Sequence, residues 1–249
     1  ASNDDDVMLV TNSGRAIRFR ATDVRVFNSR ASTGVRGIKL QGKDTVVSMS
    51  VIRHFEATSD ERAAYLKMRR AMAGLADDAE LPDEEEGDAN SQITQERYAE
   101  MSAIENLILT ITSGGAGKLS SSHDYPLRGR GGMGVAAMDK AMRGGPLVTS
   151  FPVEISDQIM LVTSTGQSIR VPVEGISFRS RGAGGVKVFD TGKGETVVSV
   201  AWIAEQGVED AEIETTDAGS HLLSTGSRRI RGSVKIIRYG STTEVKPRR

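Results

Sequence analysis

Two glycine-rich loops that carry arginines are the segments of this chain best suited to chemistry. The first reads Arg128-Gly129-Arg130-Gly131-Gly132-Met133-Gly134, and the second reads Ser180-Arg181-Gly182-Ala183-Gly184-Gly185. Guanidinium groups bind phosphate oxygens in pairs, and backbone without side chains lets a ligand approach its N–H groups. We therefore expect phosphate binding at both loops, although tight turns between strands also use glycine. The glycines assigned to this role are Gly131, Gly132, Gly134, Gly182, Gly184 and Gly185.

The two loops differ from the phosphate loop of nucleotide-binding proteins. That loop is followed by Lys-Ser or Lys-Thr and opens a helix. Neither feature follows the glycines here. A shared ligand of another kind is favoured because the loops recur at matching positions in consecutive repeats.

Positive charges also recur at a fixed distance from three glycine turns. The glycines are Gly14, Gly114 and Gly166, and the charges four residues later are Arg18, Lys118 and Arg170. Around the first charge, Ile17 and Phe19 alternate with Arg18 and Arg20. Because successive side chains of a strand point to opposite faces, the arginines lie opposite the apolar pair. We therefore expect these charges to face water or a ligand.

The elements that position these charges form a repeat of roughly fifty residues. Each unit has an apolar run ending in the glycine turn, a glycine-containing segment such as Thr33-Gly34-Val35-Arg36 or Gly184-Gly185-Val186-Lys187, and a closing apolar strand. Four strand-like segments at this spacing predict an all-β, propeller-like fold built from four-stranded blades. We assign residues 6–52, 106–153 and 154–205 to three blades. The pattern stops after Glu205, so residues 206–249 form an unassigned tail.

An insert interrupts the repeat between the first two blades. Gly114 and Gly166 lie 52 residues apart, whereas Gly14 and Gly114 lie 100 apart, which locates the insert at residues 53–105. Helix-forming residues at 58–73 and 91–103 predict two helices. Between them, residues 77–88 contain eight acidic residues in twelve positions, a composition that predicts a flexible loop. The insert is either a tolerated surface insertion or a regulatory element.

Charge is segregated along the chain although the net charge is −1. Residues 6–52 carry eight Lys or Arg against three acids, and residues 106–153 carry five against two. Residues 53–105 carry six against fourteen, and residues 154–205 carry five against six. The sequence therefore predicts basic first and second blades beside an acidic insert.

Composition excludes several classes of protein. The chain has no cysteine, which excludes disulfides and thiolate zinc sites and suits a reducing cytoplasm. Its three histidines, His54, His123 and His221, are too far apart in sequence to suggest an imidazole metal site. No apolar stretch resembles a membrane span or a signal peptide. No spacing suggests a catalytic nucleophile or paired carboxylates, so a hydrolase ranks last.

Three stretches carry a resemblance to a known family. They are Asp6-Val7-Met8-Leu9 through Arg18-Phe19, the run Thr33-Gly34-Val35-Arg36-Gly37-Ile38-Lys39-Leu40, and Asp157-Gln158-Ile159-Met160-Leu161-Val162-Thr163. Over residues 6–205 the chain resembles the C-terminal domain of DNA gyrase A. The resemblance implies a β-pinwheel, of which these would be the last three blades, and a basic rim that wraps double-stranded DNA.

The same resemblance implies a role within a larger enzyme. The C-terminal domain would have no catalytic residues and no cofactor of its own, since ATP and Mg²⁺ are used elsewhere in the holoenzyme. Gyrase A and gyrase B would form an A2B2 assembly in the bacterial cytoplasm, associated with the nucleoid, which introduces negative supercoils. The family's catalytic tyrosine belongs to an N-terminal region, and no tyrosine here has matching surroundings. The family's Gln-Arg-Gly-Gly-x-Gly box would lie upstream, with Arg130, Gly131, Gly132 and Gly134 as a degenerate echo.

The electrostatic attraction between basic side chains and DNA phosphates supports the DNA hypothesis independently of the resemblance. This attraction does not depend on the base sequence. Arginines on a curved rim neutralise phosphates and release counterions. With 4% aromatic residues the chain has no row of stacking platforms, so single-stranded nucleic acid is a poorer hypothesis. The residues predicted to contact duplex DNA are Arg15, Arg18, Arg20, Arg30, Arg36, Lys39, Lys118, Arg128, Arg130, Arg170, Arg179, Arg181 and Lys187.

Two alternatives remain at this point. The first is the corresponding domain of topoisomerase IV, for which the upstream box would discriminate. The second is a protein-binding propeller whose acidic insert recruits a partner. Binding that weakens steeply with salt favours DNA, and salt-insensitive capture of a protein favours the second alternative.

Overall fold

A computed structural model describes residues 2–72, 92–139 and 144–203 of the chain. Within these ranges the secondary structure is mainly β. The strands are β1 (Asp5–Thr11), β2 (Arg15–Arg20), β3 (Val46–Arg53), β4 (Leu107–Thr112), β5 (Ala116–Ser121), β6 (Val135–Ala136), β7 (Leu147–Val153), β8 (Gln158–Thr163), β9 (Ser168–Pro172), β10 (Val186–Lys187) and β11 (Val197–Ile203). The helices are α1 (Ser59–Met72) and α2 (Gln95–Ile104). Three short 3-10 turns, Ala21–Asp23, Ser122–Asp124 and Val173–Gly175, follow β2, β5 and β9.

Each repeat opens with a hairpin that closes on a left-handed glycine. The φ angles are 87° at Gly14, 78° at Gly115 and 86° at Gly166, values that glycine adopts without a steric penalty. The repeat pattern in the sequence placed Gly114 at this position, and that register is wrong by one residue. Counting from Gly115, the structural counterpart of Arg18 is Leu119, and Lys118 is the counterpart of Ile17.

The strands assemble into three antiparallel sheets. Blade 1 has the order β3-β1-β2-β6, blade 2 the order β10-β5-β4-β7, and blade 3 the order β11-β8-β9. The propeller-type fold predicted from the repeat is confirmed. The fourth strand of blades 1 and 2 comes from the next unit along the chain, because β6 pairs with β2 and β10 pairs with β5. Blade 3 has three strands among the described residues.

The apolar cores lie between blades. Met8 and Val10 of blade 1 pack with Ile108 of blade 2, and each is fully buried. Leu109 and Leu119 of blade 2 pack in the same way with Ile159 of blade 3. Burying one such side chain contributes about 1.5–3 kcal/mol to folding. Each face of blade 2 is therefore covered by a neighbouring blade, which has direct consequences for the charged residues on its strands.

The two helices of the insert begin at threonine caps. The Thr58 N–H donates to Glu61 Oε2 at 2.8 Å, and the Glu61 N–H donates to Thr58 Oγ1 at 3.2 Å. This reciprocal pair is a capping box, which satisfies two N–H groups that a helix start leaves without partners. Thr94 Oγ1 accepts from the Arg97 N–H at 3.1 Å at the start of α2. The two helices predicted for the insert are confirmed, whereas the acidic segment 77–88 lies outside the described residues.

The insert packs closely on the blades. Tyr65 of α1 and Met101 of α2 are fully buried. The ring of Tyr65 lies 5.0 Å from that of His123 in the second 3-10 turn, and His123 Nε2 contacts the Met101 carbonyl at 2.8 Å. At the end of α1, the guanidinium of Arg69 lies 4.8 Å above the ring of Phe178 in blade 3. The helices thus contact blade 2 through buried groups and blade 3 through a half-buried cation–π pair.

Candidate nucleic-acid interface

The radial order of the strands defines an inner and an outer edge of the blades. β3 contacts β7, and β7 contacts β11, so these strands lie side by side at the inner edge. β6 and β10 end the opposite sides of their sheets and form the outer edge. The segments that lead into them, residues 127–134 and 178–185, run along the same edge, because Leu127 bridges to Arg18 and Phe178 bridges to Leu119.

Arg18 lies inside the molecule, and the expectation that it faces outward is wrong. Its side chain is 5% exposed, and its Nε donates to Asp6 Oδ2 at 2.7 Å. Its Nη1 donates to the carbonyl of Ser122 at 2.9 Å, across the junction with blade 2. Burial lowers the pKa of the Arg18 guanidinium, while the Asp6 carboxylate acts in the opposite direction. Alternation placed Arg18 opposite the apolar residues correctly, but a second blade covers that face.

Lys118 is also buried rather than outward-facing. The side chain is fully inaccessible to solvent, and its Nζ donates to the carbonyl of Ser180 at 2.8 Å and to that of Ala183 at 2.6 Å. It also donates to the carbonyl of Arg181. Lys118 therefore holds the second glycine-rich loop against blade 2 by satisfying carbonyls that would otherwise be buried without partners.

Arg181 and Arg130 bind neighbouring backbone. Arg181 is 4% exposed, and its Nε donates to the carbonyl of Asp124 at 2.8 Å and its Nη1 to that of Ala136 at 2.6 Å. Arg130 is half-buried and donates to the carbonyls of Asp23 and Arg36 at 3.0 Å and 2.6 Å. The outward placement expected for Arg181 is wrong, because this side chain fills the junction between blades.

The glycines of the two loops serve close contact between blades. At Gly134 a Cβ atom would collide with the carbonyl oxygen of Ala16, and at Gly185 it would lie 2.9 Å from the Gly117 nitrogen. The Gly131 N–H is already bound to the Gly37 carbonyl at 2.8 Å. Turn and packing requirements thus account for Gly131, Gly134 and Gly185, whereas an added Cβ atom at Gly182 would meet nothing within 4 Å.

The remaining predicted cations lie at the surface. Arg128 and Arg179 are half-buried at equivalent points of the outer edge, where the Arg128 N–H donates to the Arg18 carbonyl at 2.8 Å and the Arg179 N–H to the Leu119 carbonyl at 2.8 Å. Arg36 and Lys187 occupy a second matching position, directly after the valine of their segments, and are exposed. The other exposed predicted residues are Arg15, Arg30, Lys39 and Arg170.

Among the described residues outside the insert, three further exposed basic residues were absent from the predicted set. Arg25, Lys43 and Lys193 are exposed, and Arg25 lies 5.4 Å from the centroid of the Phe27 ring. Only their charge marks them in the sequence. Conversely, Arg20 is partly withdrawn from solvent, with its Nη1 at 2.7 Å from His54 Nε2.

A cleft beside the insert contains both cations and carboxylates. It has a volume of about 240 Å³ and is lined by residues that include Asp6, His54, Glu56 and Arg62. Asp6 contacts two residues of this cleft, Arg18 through Nε at 2.7 Å and His54 through Nδ1 at 2.9 Å. Within the ranges given above, no group of His, Asp and Glu is arranged to hold a metal ion. No helix of the described part of the chain is long and apolar enough to cross a membrane.

Comparison with known proteins identifies the repeat. The family model for the DNA gyrase C-terminal domain, a beta-propeller, matches residues 5–53, 106–146 and 157–201. The DNA gyrase A protein of Granulibacter bethesdensis is 43% identical over 219 residues, which cover 83% of this chain and 23% of that protein. That of Rickettsia bellii is 39% identical over 215 residues, covering 85% of this chain and 23% of that protein. The chain therefore spans about a quarter of the length of these relatives.

A solved structure supports the fold. The crystal structure of the C-terminal domain of DNA topoisomerase IV superposes with a TM-score of 0.55 at 21% identity, over 80% of this chain and 47% of that one. The three segments matched by the family model fall on blades 1, 2 and 3 and leave out the helical insert, and together they cover more than half of the chain. The chain belongs to the DNA gyrase C-terminal domain family.

Proposed function

We propose that this chain binds double-stranded DNA and wraps it along the outer edge of its blades. The observation that carries the proposal is the recurrence of surface cations at equivalent points of two units, Arg128 with Arg179 in the second and third units and Arg36 with Lys187 in the first and third. Cations that recur with the structural repeat can neutralise several phosphates of one duplex, because the phosphates of DNA are also regularly spaced. The contacts proposed here go to phosphates, so binding is expected to be independent of base sequence.

The proposed track replaces the one expected from the sequence. Arg18, Lys118 and Arg181 are bound to carbonyls and carboxylates between blades and cannot reach a duplex without unfolding the junctions. The DNA contacts are instead assigned to the predicted cations that are exposed and to the half-buried Arg128 and Arg179, whereas Arg130 is left out because its guanidinium binds the carbonyls of Asp23 and Arg36. The assigned cations are Arg15, Arg30, Arg36, Lys39, Arg128, Arg170, Arg179 and Lys187.

The function of the whole protein is proposed from its relatives. We assign the chain to the C-terminal part of a DNA gyrase A protein, which assembles with gyrase B into an A2B2 enzyme. In this assignment, ATP and Mg²⁺ act elsewhere in the enzyme, and the wrapped DNA segment supports negative supercoiling in the bacterial cytoplasm. The relatives from Granulibacter and Rickettsia, which are DNA gyrase A proteins, favour this assignment over topoisomerase IV.

A pair of neutralising substitutions tests the track. In the double variant Arg128→Gln with Arg179→Gln, duplex affinity should fall and the slope of log affinity against log salt should become shallower by about 1 for each side chain. The single variants should each give half of this effect. Lys67→Gln, which removes one charge from the exposed surface of α1, should leave the slope unchanged. Equal slopes in the double variant and the wild type would contradict the proposed track, and salt-insensitive capture of a protein would favour the protein-binding alternative.

A further inference from the structure

Helix α1 of the insert reaches the outer edge of the blades at the start of the segment 178–185. The guanidinium of Arg69, in the last turn of α1, lies 4.8 Å from the centroid of the Phe178 ring. Phe178 directly precedes Arg179, one of the cations assigned to duplex DNA. This contact therefore connects the insert to the proposed DNA-binding edge.

Arg69 is held in this position by a buried carboxylate. Its Nε donates to Glu105 Oε2 at 3.3 Å, and the side chains of Arg69 and Glu105 are 28% and 7% exposed. A planar guanidinium can bind a carboxylate with its edge while it stacks on an aromatic ring with its face. Glu105 directly precedes Asn106, whose N–H donates to Ser122 Oγ at 3.0 Å and whose carbonyl accepts from the Ser122 N–H at 2.9 Å. The carboxylate is thus attached to blade 2 through its own backbone.

The segment beneath Arg69 is paired with β5 by two backbone hydrogen bonds. The Leu119 N–H donates to the Ser177 carbonyl at 3.0 Å, and the Arg179 N–H donates to the Leu119 carbonyl at 2.8 Å. Phe178 lies between these two bonds, and its side chain packs on the core shared by blades 2 and 3. A ring that is fixed at this point limits the movement of the backbone from which Arg179 projects.

The equivalent point of the second unit carries a different side chain. Leu127 stands where Phe178 stands, and the next N–H, that of Arg128, donates to the Arg18 carbonyl at 2.8 Å. Leu127 is 47% exposed and lines the cleft of about 240 Å³ beside the insert, whereas Phe178 is half-buried. A leucine has no ring on which a guanidinium can stack. The two points therefore share their backbone pairing and differ in the side chain that they present to the insert.

We propose that Arg69 is a positioning residue for Arg179. Stacked on Phe178 and held by Glu105, it fixes the segment from which the Arg179 side chain meets the phosphates. The inference rests on the proposed function of the outer edge and gives the insert a part in it. A segment that is already ordered loses less conformational entropy when duplex DNA binds, so the contact increases affinity without touching DNA. The insert is then more than a tolerated surface insertion.

Hydrogen exchange of the full chain tests this positioning in the absence of DNA. Phe178→Leu, which introduces the side chain found at Leu127, should increase exchange of the Arg179 amide by about two- to fivefold, the effect of one partly exposed cation–π contact. Arg69→Gln, whose amide can still donate to Glu105, should do the same, and the double variant should show no further increase. The Arg128 amide is the internal control and should be unaffected. An unchanged Arg179 amide in Arg69→Gln would overturn the inference.

A double-mutant cycle tests the consequence for DNA binding. Phe178→Leu should lower duplex affinity by about two- to fivefold and leave the dependence of affinity on salt unchanged, because it removes no charge. It should have no effect in the background Arg179→Gln, in which the side chain that it positions is missing. It should keep its full effect in the matched background Arg128→Gln. Arg69→Gln should follow the same pattern across the three backgrounds.

The outcomes separate this inference from the proposed function. Equal losses of affinity with and without the Arg179 side chain would overturn the inference, since Arg69 and Phe178 would then act on DNA directly or on the fold as a whole. Failure of Arg179→Gln itself to lower affinity would contradict the proposed DNA contact at this point. The exchange of the Arg179 amide would still decide whether Arg69 fixes the segment.

Discussion

Arg130 and Arg181 make the same pair of hydrogen bonds at two successive junctions of the structure. Each donates to the last carbonyl of a 3-10 turn, that of Asp23 at 3.0 Å and that of Asp124 at 2.8 Å. Each also donates at 2.6 Å to the carbonyl that follows the pairing valine or its equivalent. One guanidinium therefore joins two parts of the preceding blade to the next blade, a role for which its planar fork of donors is suited.

Replacement of Arg181 should destabilise the blades. Arg181→Met leaves the carbonyls of Asp124 and Ala136 without their side-chain donor and removes the ion pair with the Asp124 carboxylate, while the backbone N–H of residue 181 still donates to that carboxylate. Loss of one partner of a buried charged network costs about 3–5 kcal/mol. Chemical denaturation of the purified chain measures this free energy of unfolding. Lys187→Met, which removes an exposed ion pair with Asp190, should change it by less than about 0.5 kcal/mol. Equal losses in the two variants would contradict the assigned role.

Replacement of Gly134 should have a comparable effect through the backbone. Gly134 has a φ of 70°, and a Cβ atom there would collide with the Ala16 carbonyl. Gly134→Ala should therefore reduce the free energy of unfolding by about 1–3 kcal/mol or weaken the pairing of β6 with β2. Gly182→Ala is the control, because an added Cβ atom meets nothing within 4 Å at that position. If both variants unfold at the denaturant concentration of the wild type, the packing role of Gly134 is disproved.

The free energy of unfolding should decrease as the pH is lowered, because of the buried His123. Burial lowers the pKa of its imidazole, and the neighbouring Arg18 and Arg62 act in the same direction, whereas the Met101 carbonyl and Glu105 oppose the shift. A depressed pKa means that the unfolded chain takes up the proton first, so stability is full above about pH 6.5 and declines as pH falls below it.

The contribution of His123 is separated by comparison with His123→Gln. Between about pH 7.5 and 5.5, the free energy of unfolding of the wild type should decrease more steeply than that of the variant, by up to about 1.4 kcal/mol per pH unit. Parallel curves would show that His123 does not carry this pH dependence.

The blades were predictable from the sequence because apolar and polar side chains alternate along their strands and glycine turns recur at a regular spacing. The alternation of Ile17, Arg18 and Phe19 correctly separated two faces of β2. Which neighbour covers each face is a property of the assembled propeller, and the burial of Arg18 against blade 2 could not be read from one strand. Because two glycines, Gly114 and Gly115, are adjacent, the sequence alone did not show which of them aligns with Gly14 and Gly166. Only Gly115 adopts the left-handed conformation at the turn.

The pairing of β6 and β10 with the preceding blade could not be predicted from the sequence either. β6 and β10 are two residues long, and their partners belong to the preceding unit. The β-strand propensity of two residues is too weak to predict a strand. The arginine five residues upstream indicates the pairing only when its carbonyl partners are known. The basic character of the first two blades, by contrast, was visible in the sequence, where residues 6–52 and 106–153 carry more Lys and Arg than acids.

The most direct measurement of the central claim is the change in linking number of a relaxed circular duplex that is nicked and religated in the presence of the chain. Wrapping of a duplex along the outer edge with a fixed hand predicts a shift of the topoisomer distribution that has a constant sign and grows with the ratio of protein to DNA. The double variant Arg128→Gln with Arg179→Gln should reduce this shift at equal occupancy of the DNA, and Lys67→Gln should not. Binding of the wild type without any shift would contradict the claim that the outer edge wraps DNA.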